Sequence, residues 1–177
     1  MNTFKAKKFF AGKKAIGRCC IAILLLAALL VPSMPIKAAA GDYLTDIVNS
    51  PLQQSVRLAN PTAAAPGGRG YTEPLMVAAL NSQGRPLVNF PVTFELMTGH
   101  PYLTVVMPGT NQNKITVYTD YNGIASAVST NPNFIGKGYQ IYSSFQGIKQ
   151  PIQIKASAPG MNTIVFTITV STYLYPY

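Results

Sequence analysis

Few residues in this chain have the side chains that catalysis or metal binding draws on. The carboxylates are Asp42, Asp46, Glu73, Glu95 and Asp120, and the one histidine is His100. Asp120 opens the most suggestive stretch, Asp120-Tyr121-Asn122-Gly123, where a carboxylate stands before an Asn-Gly pair. A cation is one use for such a stretch, but a single carboxylate falls far short of the roughly six to eight oxygens that calcium takes, and the repeated Asp and closing Glu of a calcium loop are missing. Asn81-Ser82-Gln83-Gly84 has the same outline with no carboxylate. In both, the first side chain can accept a bond from the amide two residues on, and the glycine can take a positive φ. Asp120, Asn122, Gly123, Asn81 and Gly84 therefore read as turn residues joining strands, and no metal or cofactor is expected.

Covalent and acid–base catalysis fare no better. Cys19 and Cys20 lie near the start of the chain, and no G-x-S-x-G elbow or phosphate-cradling glycine loop occurs. Glu95 and Asp120 could form a glycosidase pair only if folding brought them within about 5 to 10 Å, and nothing in the sequence does so. His100, in Thr98-Gly99-His100-Pro101-Tyr102, reads as a solvated loop histidine. The expectation is a protein that binds or supports and does not catalyse. A carbohydrate-binding or hydrolytic envelope protein is the alternative.

The net charge of +9 belongs mostly to the first forty residues. Lys5, Lys7, Lys8, Lys13, Lys14 and Arg18 precede an apolar run from Cys19 to Val31, and Lys37-Ala38-Ala39-Ala40 follows. A basic front, a short apolar centre and a small-residue A-x-A site make up a secretory signal peptide, read here as residues 1–40 with a helical centre. The run is shorter than the roughly 20 residues of a membrane-spanning helix. Cleavage after Ala40 leaves seven basic residues against five acidic ones. That balance argues against nucleic acid as a partner. It leaves a chain without cysteine, so no disulfide can staple it. The exported protein is expected outside the cell or in the periplasm, with no membrane span after cleavage.

Beyond Ala40 the chain is rich in Val, Ile, Thr, Tyr and Phe, and Gly or Pro punctuates it every few residues. In Val88 to Met97 the residues Val88, Phe90, Val92, Phe94 and Leu96 alternate with more polar ones, as in a strand with one buried face. Pro91 argues for an edge position or a bulge there. Further strands are expected over Glu73–Leu80, Tyr102–Met107, Lys114–Thr119, Ile124–Val128, Tyr139–Phe145, Gln150–Ala156 and Thr163–Thr172. Ile141 and Ile154 join Phe90, Val92 and Phe94 in the expected core. Residues 41–72 read as a looser N-terminal strand and linker region, with Asn60–Gly70 a loop, and residues 73–177 as the domain proper. "IYSSFQGIKQ" from Ile141 and "IKASAPGMNT" from Ile154 repeat a strand end, a turn on Gly147 or Gly160 and a strand start, which suggests a three-strand meander. Many short strands with regular turns indicate an all-β sandwich or barrel.

Pro74-Leu75-Met76-Val77, Gly84-Arg85-Pro86-Leu87-Val88, Pro91-Val92-Thr93-Phe94 and Thr119-Asp120-Tyr121-Asn122-Gly123-Ile124-Ala125 occur in that order, followed by Gly138-Tyr139-Gln140-Ile141. The series resembles the bacterial Ig-like (Big-1) domain of the invasin and intimin adhesins over about residues 50 to 156. The resemblance implies an immunoglobulin-like sandwich of about seven to nine strands and work at the cell envelope or outside the cell, in adhesion or as a surface module.

Tyrosine is the functional lead. All ten tyrosines follow the signal segment, and tyrosine gives a large contact area at small entropic cost. Tyr102, Tyr121, Tyr173, Tyr175 and Tyr177 are the candidate binding surface, with an unknown protein or glycan as the partner. Tyr118 and Tyr142 are also expected to face outward. The last strand, Thr163–Thr172, reads as an edge with no lysine or arginine after Lys155 to protect it. Such an edge invites self-association or a partner by strand addition, or else covers the open edge of its own sandwich.

Overall fold

Burial alternates residue by residue along most of the strands, because successive side chains point to opposite sides of a sheet. The computed structural model describes residues 36–172. Its strands are β1 (Tyr43–Asp46), β2 (Gln53–Arg57), β3 (Arg69–Tyr71), β4 (Leu75–Leu80), β5 (Pro91–Thr98), β6 (Leu103–Val106), β7 (Lys114–Tyr118), β8 (Ile124–Ala127), β9 (Gln140–Ser143), β10 (Lys149–Ser157) and β11 (Ile164–Ser171). They form sheets of order β1-β4-β8, β2-β11-β10-β5-β7 and β3-β9-β6.

The chain is an all-β sandwich with the strand arrangement of an immunoglobulin domain. β5, β10 and β11 lie side by side and antiparallel, as strands C, F and G do, while β1, β4 and β8 form the sheet that carries the first strands. Val77, Ala79, Ala125 and Ala127 from one sheet share a core with Val92, Phe94, Ile152, Ile154, Phe166 and Ile168 from the other. The rings of Phe94 and Phe166 lie 6.4 Å apart at its centre. Phe90, Val92, Phe94, Ile141 and Ile154 are all buried, and the eight expected strands appear with ends shifted by a few residues.

The structure differs from the sequence reading in five places. The segment 41–72 is not mainly linker: β1, β2 and β3 lie within it, each paired in a sheet, and within Asn60–Gly70 Ala65 is buried and paired with Thr62. The long alternation does not begin at Val88, which is 60 % exposed, because Asn89 turns the chain at φ +54 before Phe90 enters the core. Pro91 marks neither an edge nor a bulge. β5 lies between β10 and β7, and Pro91 is its first residue, beyond the last pair with β10 at Ser157–Thr93, so no ladder bond is lost. The register shift in β5–β10 falls at the far end, between the pairs Gln153–Thr98 and Ile154–Leu96.

The fourth difference concerns the meander. β10 and β11 form the last hairpin, but β9 pairs with β3 and β6 in another sheet, so the chain crosses between sheets after Ser143. The fifth concerns the last strand, which is not an edge. β2 runs parallel to it from Gln53–Thr167 to Arg57–Ser171, while β10 pairs along its other side. Over Thr167–Ser171 the ladder groups on both sides of β11 are therefore already paired, which leaves no open edge along that part of the strand.

Candidate surface: the outer face of a three-stranded sheet

Residues directly opposed on neighbouring strands point to the same side of a sheet. In β3-β9-β6 the opposed sets are Gly70, Ile141 and Val105 on one side, and Arg69, Tyr142 and Thr104 with Tyr71, Gln140 and Val106 on the other. The first side packs inward, with Ile141 and Val105 in the core. Gly70 is required there, since a Cβ would stand 2.8 Å from Val56 Cγ1 and 2.9 Å from Leu58 Cδ2 of the strand segment beneath. The second side faces out and carries the aromatic and polar groups.

Gln140 organises that outer face. Only 3 % exposed, its side-chain amide lies between two phenols. Its Nε2 donates to the Tyr71 hydroxyl at 2.7 Å, and the Tyr142 hydroxyl donates to its Oε1. Tyr71 also packs against Phe134, ring centroids 5.7 Å apart. Phe134 closes the 3-10 turn Pro132–Phe134, whose start is capped by the Asn131 side chain accepting from the Asn133 amide. Burial, with the nearby Tyr142, pushes the Tyr71 phenol above its ordinary value, against the opposing pull of Arg69 and the Gln140 bond. Tyr71 is thus a neutral phenol at physiological pH.

The face carries a cation that has no ion-pair partner among the described residues. Arg69 is exposed, and the ion pairs among the described residues, which include every Asp and Glu, are Glu95 with Lys114 (3.4 Å) and with Lys155 (3.5 Å). At one end of the sheet, Ser144 N–H donates to the Tyr102 carbonyl at 3.0 Å, extending the β6–β9 pairing by a step. That step brings Tyr102 to the same outward parity as Thr104. Tyr102 stacks on Phe145 at 5.2 Å and touches His100 at 5.5 Å, with Tyr102 and Phe145 about half exposed. His100 is therefore packed against an aromatic ring and is not a freely solvated loop residue.

The expected tyrosine surface divides. Tyr102 follows the end of β5, whereas Tyr121, 80 % exposed, stands just past Tyr118, which pairs with Pro91 at the start of β5. The two lie at opposite ends of the sandwich and form no common surface. Tyr173, Tyr175 and Tyr177 lie outside the described residues. Tyr142 faces out as expected, and it is the neighbour of three residues that sequence reasoning passed over: Tyr71, Arg69 and Gln140.

The turn residues are used as turn residues. Asp120 Oδ1 accepts from the Asn122 amide at 2.8 Å and from the Ile124 amide at 2.9 Å, with Gly123 at φ +75. Asn81 Oδ1 accepts from Gln83 at 3.0 Å and Arg85 at 2.9 Å, with Gly84 at the same φ. Among the described residues no three His, Cys, Asp or Glu side chains gather. Glu95 and Asp120 do not meet either. Glu95 pairs with Lys114 at one end of β7, and Asp120 follows its other end, about 20 Å along the strand direction. No protein-family model and no curated protein matches the chain.

Proposed function

We propose that this chain is an exported bacterial Ig-like module, of the kind found in the invasin and intimin adhesins, that binds a ligand at the cell surface through the outer face of β3-β9-β6 and performs no catalysis. The carrying observation is the fixed Tyr71–Gln140–Tyr142 row, beside an arginine with no ion pair among the described residues and an exposed Tyr102–Phe145 stack. Rigid, partly exposed phenols that already have one hydrogen bond each lose little entropy on docking. The basic, apolar and A-x-A succession of residues 1–40 supports export. The ordered motif series and the immunoglobulin strand order support the relation to Big-1 domains, and the scattered carboxylates support a non-catalytic role.

The reading is tested by retention of the purified protein on intact bacterial cells, isolated envelope material and animal epithelial cells, with Tyr142→Ala and Tyr121→Ala as variants. Retention by at least one surface is expected, lost in Tyr142→Ala and kept in Tyr121→Ala. Retention that ignores Tyr142, or no retention anywhere, would remove this face from the account.

A further inference from the structure

We infer that the ligand of this face is an acidic polysaccharide, bound with its sugar rings against the aromatic side chains and a carboxylate on Arg69. The inference rests on the binding role proposed above and adds the chemistry of the ligand. Sugars offer apolar C–H faces edged by hydroxyls, and a surface that receives them supplies flat aromatic rings with donors and acceptors fixed between. Tyr71 and Tyr142 supply both, because Gln140 fixes their hydroxyls. The amide has one acceptor and one donor end toward them, so one phenol gives its proton inward while the other keeps its own for the ligand. This holds whichever way round the amide lies. The row therefore presents one acceptor and one donor side by side, which suits a hydroxylated ring.

Charge narrows the class. Arg69 stands directly opposite Tyr142 and has no carboxylate partner among the described residues. No carboxylate among the described residues is paired with Arg69: Asp120 and Asp42 bond to turn amides, Glu95 joins two lysines on another sheet, Asp46 is on β1, and the exposed Glu73 lies beyond Tyr71, four residues from Arg69. A planar guanidinium matches a carboxylate in paired bonds, which selects a uronic-acid polymer over a neutral glycan.

Affinity electrophoresis of the full chain in native gels containing polygalacturonate, alginate or a neutral β-glucan tests this. At least one of the two acidic polymers should retard the protein, and the neutral glucan should not. Arg69→Gln should weaken the retardation roughly tenfold, the scale of a lost charge-assisted bond, and Tyr142→Ala should abolish it. Arg85→Gln, in the distant Asn81 turn, should leave it intact. Equal retardation by the neutral glucan, or an Arg85→Gln loss matching that of Arg69→Gln, overturns the inference by reducing it to general stacking or bulk charge. Cell retention that depends on Tyr142 without retardation by either acidic polymer overturns it too, while the binding role stands. Loss of both readouts overturns both.

Discussion

Asn162 holds Leu44 from across the sandwich with both ends of its amide. Its Oδ1 accepts from the Leu44 N–H at 2.6 Å and its Nδ2 donates to the Leu44 carbonyl at 2.9 Å. β1 is the edge of its sheet, so these backbone groups have no strand to pair with, and Leu44 is only 2 % exposed. Asn162→Ala should therefore cost about 1–3 kcal/mol, the penalty of buried groups left unpaired. A denaturant midpoint equal to that of the unmodified protein would show that water replaces the amide at no cost.

The two Asx-Gly turns have the same hydrogen bonds and different surroundings. At Gly123 a Cβ would lie 2.8 Å from the Ala79 carbonyl oxygen and 3.0 Å from Pro86, whereas at Gly84 its nearest neighbour is the Tyr43 hydroxyl at 3.9 Å. Gly84→Ala should cost about 1–2 kcal/mol, for the left-handed backbone alone. Gly123→Ala should cost clearly more, since backbone must also move. Equal thermal shifts for the two variants would contradict the packing described around Gly123.

Tyr139 is fully buried and donates to the Phe94 carbonyl at 3.0 Å. Burial, and after it the nearby Glu95, raises its phenol above the ordinary value. A raised phenol favours the neutral form in the folded state, so its contribution is complete below about pH 10 and is lost as pH rises beyond that. The unmodified protein should lose stability more steeply above pH 10 than Tyr139→Phe does. At neutral pH that variant should cost about 0.5–1.5 kcal/mol for the lost bond. Parallel pH curves would show that Tyr139 ionises in the folded state as it does in water.

Removal of residues 160–177 should abolish folding. β11 sits between β2 and β10 and contributes Phe166, Ile168 and Val170 to the core. A truncated chain that still melts cooperatively would mean that β2 can pair with β10 directly.

The strands with strong apolar alternation were legible because burial and period coincide, as in Val92 and Phe94. β2 was not, because Gln53-Gln54-Ser55-Val56-Arg57 puts a glutamine inward, where Gln54 Oε1 takes the Glu73 amide at 3.1 Å. That strand alone turns β11 from an edge into an interior strand over Thr167–Ser171. The outer face was half legible. Tyr142 carries the outward period of its strand, but Arg69-Gly70-Tyr71 is too short for any period. Only the cross-strand register brings Arg69 and Tyr71 beside Tyr142 and Gln140.

The most direct test of the binding face is amide chemical-shift mapping of the labelled protein titrated with oligogalacturonate. Shifts should concentrate in residues 69–71, 102–106 and 140–145, with the turns at Asn81 and Asp120 silent. Shifts centred on Tyr121 and those turns, with β3, β9 and β6 unmoved, would contradict binding at that face.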